Sequence, residues 1–242
     1  MILRKWKALP SEMQCEEVKK YYDILKKKKG SLFFKRVFDF LLSSLLIVVL
    51  SPLFLCLALS IKIDSSGPVF FRQVRVTRYG ETFRIFKFRT MVADAEKTGQ
   101  RVTVKNDARI TRVGKFIRKY RLDEVCQLLD VWRGKMTFVG TRPEVEKYVA
   151  HYTPEMRATL LLPAGITSEA SIYYKDESAL LDGANGEADR IYLEKILPEK
   201  MKYNLRAVER FSLFREWGIM IKTVLAVCGK NYRDNDRQEE RQ

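Results

Sequence analysis

The sequence is poor in the residues that carry the commonest enzyme chemistries. It has one histidine, His151, so histidine-based triads and metal sites built on imidazole have almost nothing to work with. Its four cysteines, Cys15, Cys56, Cys126 and Cys228, are scattered without a CxxC pair. That spacing argues against a zinc site and a disulfide framework, and it suits a reducing cytosolic side. GxxxxGK[ST], GxGxxG and GxSxG are all absent, as is any internal repeat, which removes the phosphate-loop, dinucleotide-fingerprint and nucleophile-elbow readings. Acidic residues are also short: 30 against 45 lysines and arginines leave a net charge of +15. Such a surface seeks anions, whether nucleic acid, acidic headgroups or phosphorylated substrates.

Charge is wholly missing from one long stretch. Phe38 to Ile63 reads FDFLLSSLLIVVLSPLFLCLALSIKI, with no charged side chain between Phe40 and Ile61. About 20 apolar residues suffice to cross the hydrocarbon core, so the segment belongs in a bilayer. It starts too late, runs too long and lacks the small-x-small site of a cleaved signal peptide. Ser51-Pro52 stands in its middle, where proline removes a backbone donor and should bend the helix. Basic residues crowd both ends: Lys26 to Lys29, Lys35 and Arg36 before it, Lys62, Arg72, Arg75 and Arg78 after it. An excess of cations is expected on one face only. A re-entrant hairpin that breaks at Ser51-Pro52 and leaves by the face it entered satisfies both flanks; a spanning helix with a tolerated proline is the alternative.

The rest reads as one compact domain with tails. Residues 1–34 form a charged amphipathic arm, with Glu16 to Lys29 a helix carrying Val18, Tyr21, Tyr22 and Leu25 on one face. Residues 35–63 are the membrane element, 64–175 the catalytic core, 176–230 the C-terminal helices and 231–242 a polar tail. Val69 to Val76 and Thr82 to Phe88 are two strands of a hairpin turning around Tyr79-Gly80. Ile110, Val113, Phe116, Ile117 and Tyr120 fall at helical spacing with cations opposite. Beside a membrane anchor that pattern fits a helix lying in the interface; on its own it fits a helix packed on a core. A second helix carries Val125, Leu128, Leu129 and Trp132, which places Asp123-Glu124 in its first turn. Pro143 is placed to open a third. Glu187 to Leu205 and Phe211 to Val227 complete an α+β, mainly helical fold.

Two features are ready for anions. Arg142 before a Pro143 helix would add a planar fork of donors to the free N–H groups of a helix start. Asp123-Glu124 offers two carboxylates of the kind that hold Mg²⁺ against substrate phosphates, and a carboxylate can itself attack phosphorus. Both have plain structural readings, since acidic residues commonly open helices and surface arginines commonly form ion pairs.

Four stretches carry more than composition does. GPVFFRQVRV, FRIFKFRTMVADAE, ITRVGKFIRKYRLDEVCQL and GKMTFVGTRPE, in this order behind an apolar segment with a central Ser-Pro, closely resemble the bacterial sugar transferases. These are monotopic polyprenyl-phosphate hexose-1-phosphate (phosphoglycosyl) transferases. The likeness runs from about Lys35 to Val227. It implies transfer of a sugar-1-phosphate from a UDP-sugar to polyprenyl (undecaprenyl) phosphate with release of UMP, dependent on Mg²⁺, on the cytoplasmic face of the bacterial inner membrane. It implies that Asp123 is the nucleophile of a phosphosugar-enzyme intermediate and Glu124 its partner in metal and acid–base work. Arg118 and Arg142, with Lys87 and Arg89 of the FRIFKFRT stretch, are then the phosphate-binding cations, and Ser51-Pro52 is the break of a re-entrant helix. Residues 1–34 would stand where larger family members carry a multi-helix extension. The chain departs from the family text at Cys126 and Thr141, where proline is usual, and at Lys135, where aspartate is usual. Lys135 is therefore expected to lower metal affinity or rate.

The rival readings are a basic membrane-anchored protein that binds nucleic acid or acidic lipid with a degraded site, and a scaffold for later glycosyltransferases. Phe83, Phe86 and Phe88 between Arg84, Lys87 and Arg89 would supply a stacking surface for the first. The reading adopted is the transferase that starts a surface glycan such as capsule, exopolysaccharide, O-antigen or a glycoprotein glycan. Its partners are a UDP-sugar, polyprenyl phosphate and membrane lipid, not nucleic acid, with room for a homo-oligomer.

Overall fold

The computed structural model describes residues 2–93, 95, 107–174 and 187–228. The polar tail from Asn231 and residues 175–186, where the catalytic core gives way to the C-terminal helices, lie outside the described residues. Helix α1 (Glu16–Lys27) leads into α2 (Lys29–Val49) and α3 (Ser51–Asp64), followed by strands β1 (Phe70–Val76) and β2 (Thr82–Phe88). Next come α4 (Arg112–Lys119), a 3₁₀ turn (Leu122–Gln127), α5 (Leu128–Trp132), β3 (Met136–Val139), the short α6 (Glu146–Val149), β4 (Ala164–Thr167) and α7 (Glu169–Tyr173). A helical run closes the fold: α8 (Ala188–Ile191), a π-type segment (Tyr192–Ile196) and α9 (Leu197–Glu209), then α10 (Leu213–Val227). The architecture is mainly helical with a small antiparallel hairpin, as the sequence suggested. A second pair of strands, β3 and β4, runs parallel with Met136 opposite Ala164; periodicity did not reveal it because each strand is only four residues long.

Among the described residues no single helix is long and apolar enough to cross a membrane, whereas α2 and α3 together pass that test and are bent by 60°. The cause is local. Pro52 brings no N–H to the Val48 carbonyl, and the Ser51 hydroxyl donates to that oxygen instead at 2.8 Å. Leu45, Val48, Val49, Leu55 and Leu59 around the bend face outward. The two outer ends return to the same body. At the α2 end, the Lys35 ammonium is 2 % exposed and donates to Glu216 Oε2 of α10 at 2.6 Å and to the Val139 carbonyl at 3.1 Å. Arg36 donates to the carbonyls of Val131 and Trp132, each at 2.8 Å, so it caps α5. Asp39 accepts from the Thr137 hydroxyl at 2.6 Å. At the α3 end, Leu57 and Ile61 join the core with Phe86, Phe88 and Ile117, and the Asp64 carboxylate accepts from Val113 N at the start of α4. Lys35 and Arg36 are therefore not headgroup cations. They are spent inside the protein, where removing one partner of a buried pair is costly.

The N-terminal arm is likewise drawn onto the core. Leu3, Leu9 and Met13 are buried with the expected α1 face of Val18, Tyr21, Tyr22 and Leu25, against Tyr79, Tyr152, Leu161 and Met201. Arg4 pairs with Glu81 at the hairpin turn and stacks on Tyr79, its carbon 4.5 Å from the ring centre. The hairpin itself forms in the expected place, with Phe71 opposite Lys87 and Arg75 opposite Phe83. Phe83, Phe86 and Phe88 are 8, 7 and 2 % exposed. They are core residues, so no stacking platform for bases stands there.

Candidate active site

The site is assembled where α4 ends. Tyr120 and Arg121 close the helix on the carbonyls of Phe116 and Arg118, and Arg121 takes the left-handed conformation at φ 53°. That reversal sends the chain directly into the 3₁₀ turn, so Asp123 and Glu124 stand on a tight turn, not on the first turn of an α-helix. Cys126, in the place of the family's proline, is fully buried beneath it, and its thiol donates to the Asp123 carbonyl at 3.5 Å. The turn lies under β2, tied there by Asp130, whose carboxylate accepts from Phe86 N at 2.8 Å. Burial raises the Asp130 carboxyl to about 6, against the pull of that N–H, Arg72 and Arg133.

Glu124 is held from two sides. Lys87, on the face of β2 turned toward the turn, donates to Oε1 at 2.9 Å. Arg142 closes a fork on the same carboxylate, with distances of 2.5 and 3.2 Å. Burial alone would raise the Glu124 carboxyl; Arg142 and then Lys87 outweigh it and hold it well below the usual range. Asp123 has no such partner: among the described residues its carboxylate makes no ion pair or hydrogen bond to another side chain. Burial, then the neighbouring Glu124 charge, raises its pKa, and Lys87 and Arg118 pull it back only in part. A desolvated carboxylate without a committed partner is what attack on phosphorus needs.

Arg118 stands on the opposite flank of Asp123. Its Nε donates to the Thr90 hydroxyl at 2.8 Å, and burial, opposed by the charges of Asp123 and Asp107, lowers its pKa. Its position depends on Gly114, one turn earlier on α4. An added Cβ at Gly114 would lie 2.1 Å from the Thr90 carbonyl oxygen, so α4 lies against the end of β2 more closely than any side chain permits.

Asp123, Glu124, Lys87, Arg118 and Arg142 therefore come together. Arg89 does not. Its guanidinium donates to the Ser66 and Ser65 carbonyls at 2.6 and 2.7 Å, which fastens the exit of α3 to the sheet. Gly67, at φ 115°, leaves room for that guanidinium, which an added Cβ would meet at 2.1 Å. Ser51 and Pro52 sit at the bend between α2 and α3, apart from the dyad. Arg142 also differs from expectation. Pro143 opens no helix; the chain there is extended, with Val76 N donating to the Glu144 carbonyl, so Arg142 serves by its side chain alone. Lys135 lies elsewhere too. Its ammonium is 3.7 Å from Glu81 Oε2, within the cluster at the hairpin turn that also includes Arg4. The exposed His151 ring is hydrogen-bonded to the Lys147 carbonyl of its own turn.

Periodicity had a further signal that went unused. In the hairpin register Arg75 shares a face with Lys87, four pairs along. Its guanidinium reaches the Pro143 carbonyl at 3.3 Å, beside Arg142. Arg75, Lys87, Arg118 and Arg142 set against Asp123 and Glu124 leave two positive charges in surplus, a fit for a phosphorylated substrate. Among the described residues no group of three or more His, Cys, Asp or Glu converges. The donor set here, two neighbouring carboxylates of which one is uncommitted, fits a Mg²⁺ that takes the rest of its shell from phosphate and water.

Comparison with known proteins agrees with the sequence motifs. Residues 30–230 match the family described as Bacterial sugar transferase. The UDP-glucose:undecaprenyl-phosphate glucose-1-phosphate transferase of Klebsiella pneumoniae is 34% identical over 197 residues, which cover 80% of this chain and 40% of that protein. The UDP-N-acetylgalactosamine-undecaprenyl-phosphate N-acetylgalactosaminephosphotransferase of Aeromonas hydrophila is 33% identical, over 81% of this chain and 44% of its own. The exopolysaccharide production protein ExoY of Rhizobium meliloti is 32% identical, over 80% of this chain and 85% of its own. The chain thus spans about two fifths of the first two relatives and most of the third. By motif order, by site geometry and by this match across residues 30–230, the chain belongs to the bacterial sugar transferase family.

Proposed function

We propose that this protein transfers a sugar-1-phosphate from a UDP-sugar to polyprenyl phosphate at the cytoplasmic face of the bacterial inner membrane, starting a surface glycan. The observation that carries this reading is the contrast within the dyad: Glu124 is committed to Lys87 and Arg142, while the adjacent Asp123 is desolvated and uncommitted.

Asp123 Oδ attacks the sugar-linked phosphorus of the donor. The new P–O bond to Asp123 forms as the bridging P–O bond of the diphosphate breaks, and the electron pair leaves on UMP. An oxygen of polyprenyl phosphate then attacks the phosphosugar on Asp123, releasing the polyprenyl-diphosphate sugar and restoring the carboxylate. Anion meets anion in both steps, so the cations on this site act by neutralising phosphate charge and positioning it. Arg118 flanks Asp123, Arg142 and Lys87 fix Glu124, and Asp123 with Glu124 would hold Mg²⁺. Bound there, that ion supplies further neutralisation of the donor diphosphate.

The acceptor requires this chemistry to lie at the bilayer surface. In support, the bent α2–α3 pair has an outward apolar face and both outer ends on one body, the arrangement of a re-entrant hairpin. Phe116, on the helix that carries Arg118, and Tyr120 at the end of that helix are more than half exposed, further apolar surface close to the dyad in the chain. The test is UMP release from a panel of UDP-sugars, UDP-glucose and UDP-N-acetylgalactosamine first, by membrane-bound protein with undecaprenyl phosphate and Mg²⁺. Activity that disappears in Asp123→Asn supports the reading; full activity in that variant removes the dyad from it.

A further inference from the structure

The charges around the dyad are ordered. Arg118 lies on the Asp123 side, Lys87 and Arg142 hold Glu124 in the middle, and Arg75 lies beyond Arg142. Among the described residues Arg75 forms no ion pair: its Nε and one terminal nitrogen donate to the Gln73 amide oxygen at 3.2 and 2.7 Å, and the other terminal nitrogen donates to the Pro143 carbonyl. Those bonds use three of its five N–H donors and fix the plane of the fork. Its charge is within reach of Glu144, Arg142 and Glu124. Glu144 is itself occupied: it accepts from the Tyr192 hydroxyl at 2.6 Å, with Lys200 at 3.5 Å. A partly buried guanidinium held rigidly beside a second one, with no carboxylate of its own, is a built receptor for an anion.

From this order of charges around the dyad, we propose that Arg75 holds the nucleotide-side phosphate of the donor, the one that leaves as UMP, while Arg118 holds the phosphate that is transferred. The inference rests on the transferase reading above. As the bridging P–O bond breaks, the departing phosphate gains one negative charge, and a cation fixed at that position stabilises the bond-breaking step more than the bound donor. Removing one such preorganised contact typically costs about 10²–10³-fold in rate. In-line displacement brings the acceptor phosphate in opposite the Asp123–P bond, where the UMP phosphate left, so Arg75 should meet the acceptor phosphate in the second step as well.

The experiment measures UMP release and product inhibition by UMP in the full-length protein, in wild type and in Arg75→Gln and Arg75→Lys. The expected result is a loss of about 100-fold in the rate of UMP release in Arg75→Gln. Inhibition by UMP should weaken at least tenfold, while inhibition by uridine, which lacks the phosphate, stays within twofold of wild type. Arg75→Lys, which restores the charge without the two-sided brace, should recover part of the UMP inhibition. If Arg75 only braced Gln73 and Pro143, the lysine variant would recover nothing and inhibition by uridine would weaken along with that by UMP; either result overturns the proposal. Unchanged UMP inhibition in an active Arg75→Gln protein also overturns it. A wild-type protein that releases no UMP from any UDP-sugar overturns this proposal together with the reading beneath it.

Discussion

Gly114→Ala tests whether α4 positions the catalytic cations. The added methyl carbon would sit 2.1 Å from the Thr90 carbonyl oxygen and 2.9 Å from the Thr111 hydroxyl that caps the helix. A tolerable C···O contact is about 3.3 Å, so α4 must retreat by roughly 1 Å. Overpacking of this kind costs about 1–3 kcal/mol, and the gain from replacing glycine by alanine in a helix returns about 1 kcal/mol. Net destabilisation is then no more than about 2 kcal/mol. The same shift stretches the 2.8 Å bond between Arg118 and Thr90 and moves Arg118 relative to Asp123. A displacement near 1 Å in a reacting constellation costs on the order of 10²-fold in rate, or about 2.7 kcal/mol of transition-state stabilisation. Loss of activity should therefore outrun loss of stability. Gly218→Ala on α10 is the control, since its Cβ would meet nothing within 4 Å; it should stabilise slightly and leave the rate alone. UMP release beside thermal unfolding checks both. A Gly114→Ala protein within threefold of wild-type rate would refute the claim that α4 sets the geometry.

Lys87→Met removes the larger of the two cationic pulls on Asp123. A carboxyl that loses a favourable cation holds its proton to higher pH, so the acid limb of kcat/KM for the UDP-sugar should move upward; a limb that stays or moves down contradicts the assignment. Lys135→Asp, which installs the family's usual residue, should leave activity within twofold and change stability by no more than about 1 kcal/mol, because Lys135 forms a half-exposed pair with Glu81. A large gain in rate would show that Lys135 acts on the site after all. For the membrane element, single cysteines at Lys29 and Ile63 should both be labelled from the cytoplasmic side; labelling from opposite sides would establish a span.

Much of this was legible in the chain itself. The bent apolar pair follows from a charge-free run interrupted by Ser51-Pro52, and the hairpin from alternation on either side of Tyr79-Gly80. The dyad, Lys87, Arg118 and Arg142 were visible through motif order, since the spacing of two carboxylates by itself marks only a helix start. What misled was charge read without tertiary context. Lys35, Arg36 and Arg89 look like surface or phosphate-facing cations, yet each satisfies backbone carbonyls inside the fold, and no local pattern distinguishes a cation that caps a buried carbonyl from one in solvent. The Pro143 helix did not form because the strand edge at Val76 claims the Glu144 carbonyl, a long-range pairing that overrides a favourable local start. Lys135 illustrates the same limit from the other side. Its partner Glu81 is shared with Arg4 of the N-terminal arm, which precedes the family-matched segment, so a departure from family text is answered by residues outside that text.

The central claim is that Asp123 becomes the covalent carrier of the phosphosugar. Incubation of the protein with its UDP-sugar in the absence of polyprenyl phosphate, followed by rapid quenching and mass spectrometry of the tryptic peptide Leu122–Arg133, addresses it directly. The account predicts a hexose-phosphate mass on that peptide, localised to Asp123, absent in Asp123→Asn and discharged when polyprenyl phosphate is added. UMP release at full rate with no adduct on the peptide, or an adduct that persists in Asp123→Asn, would contradict it.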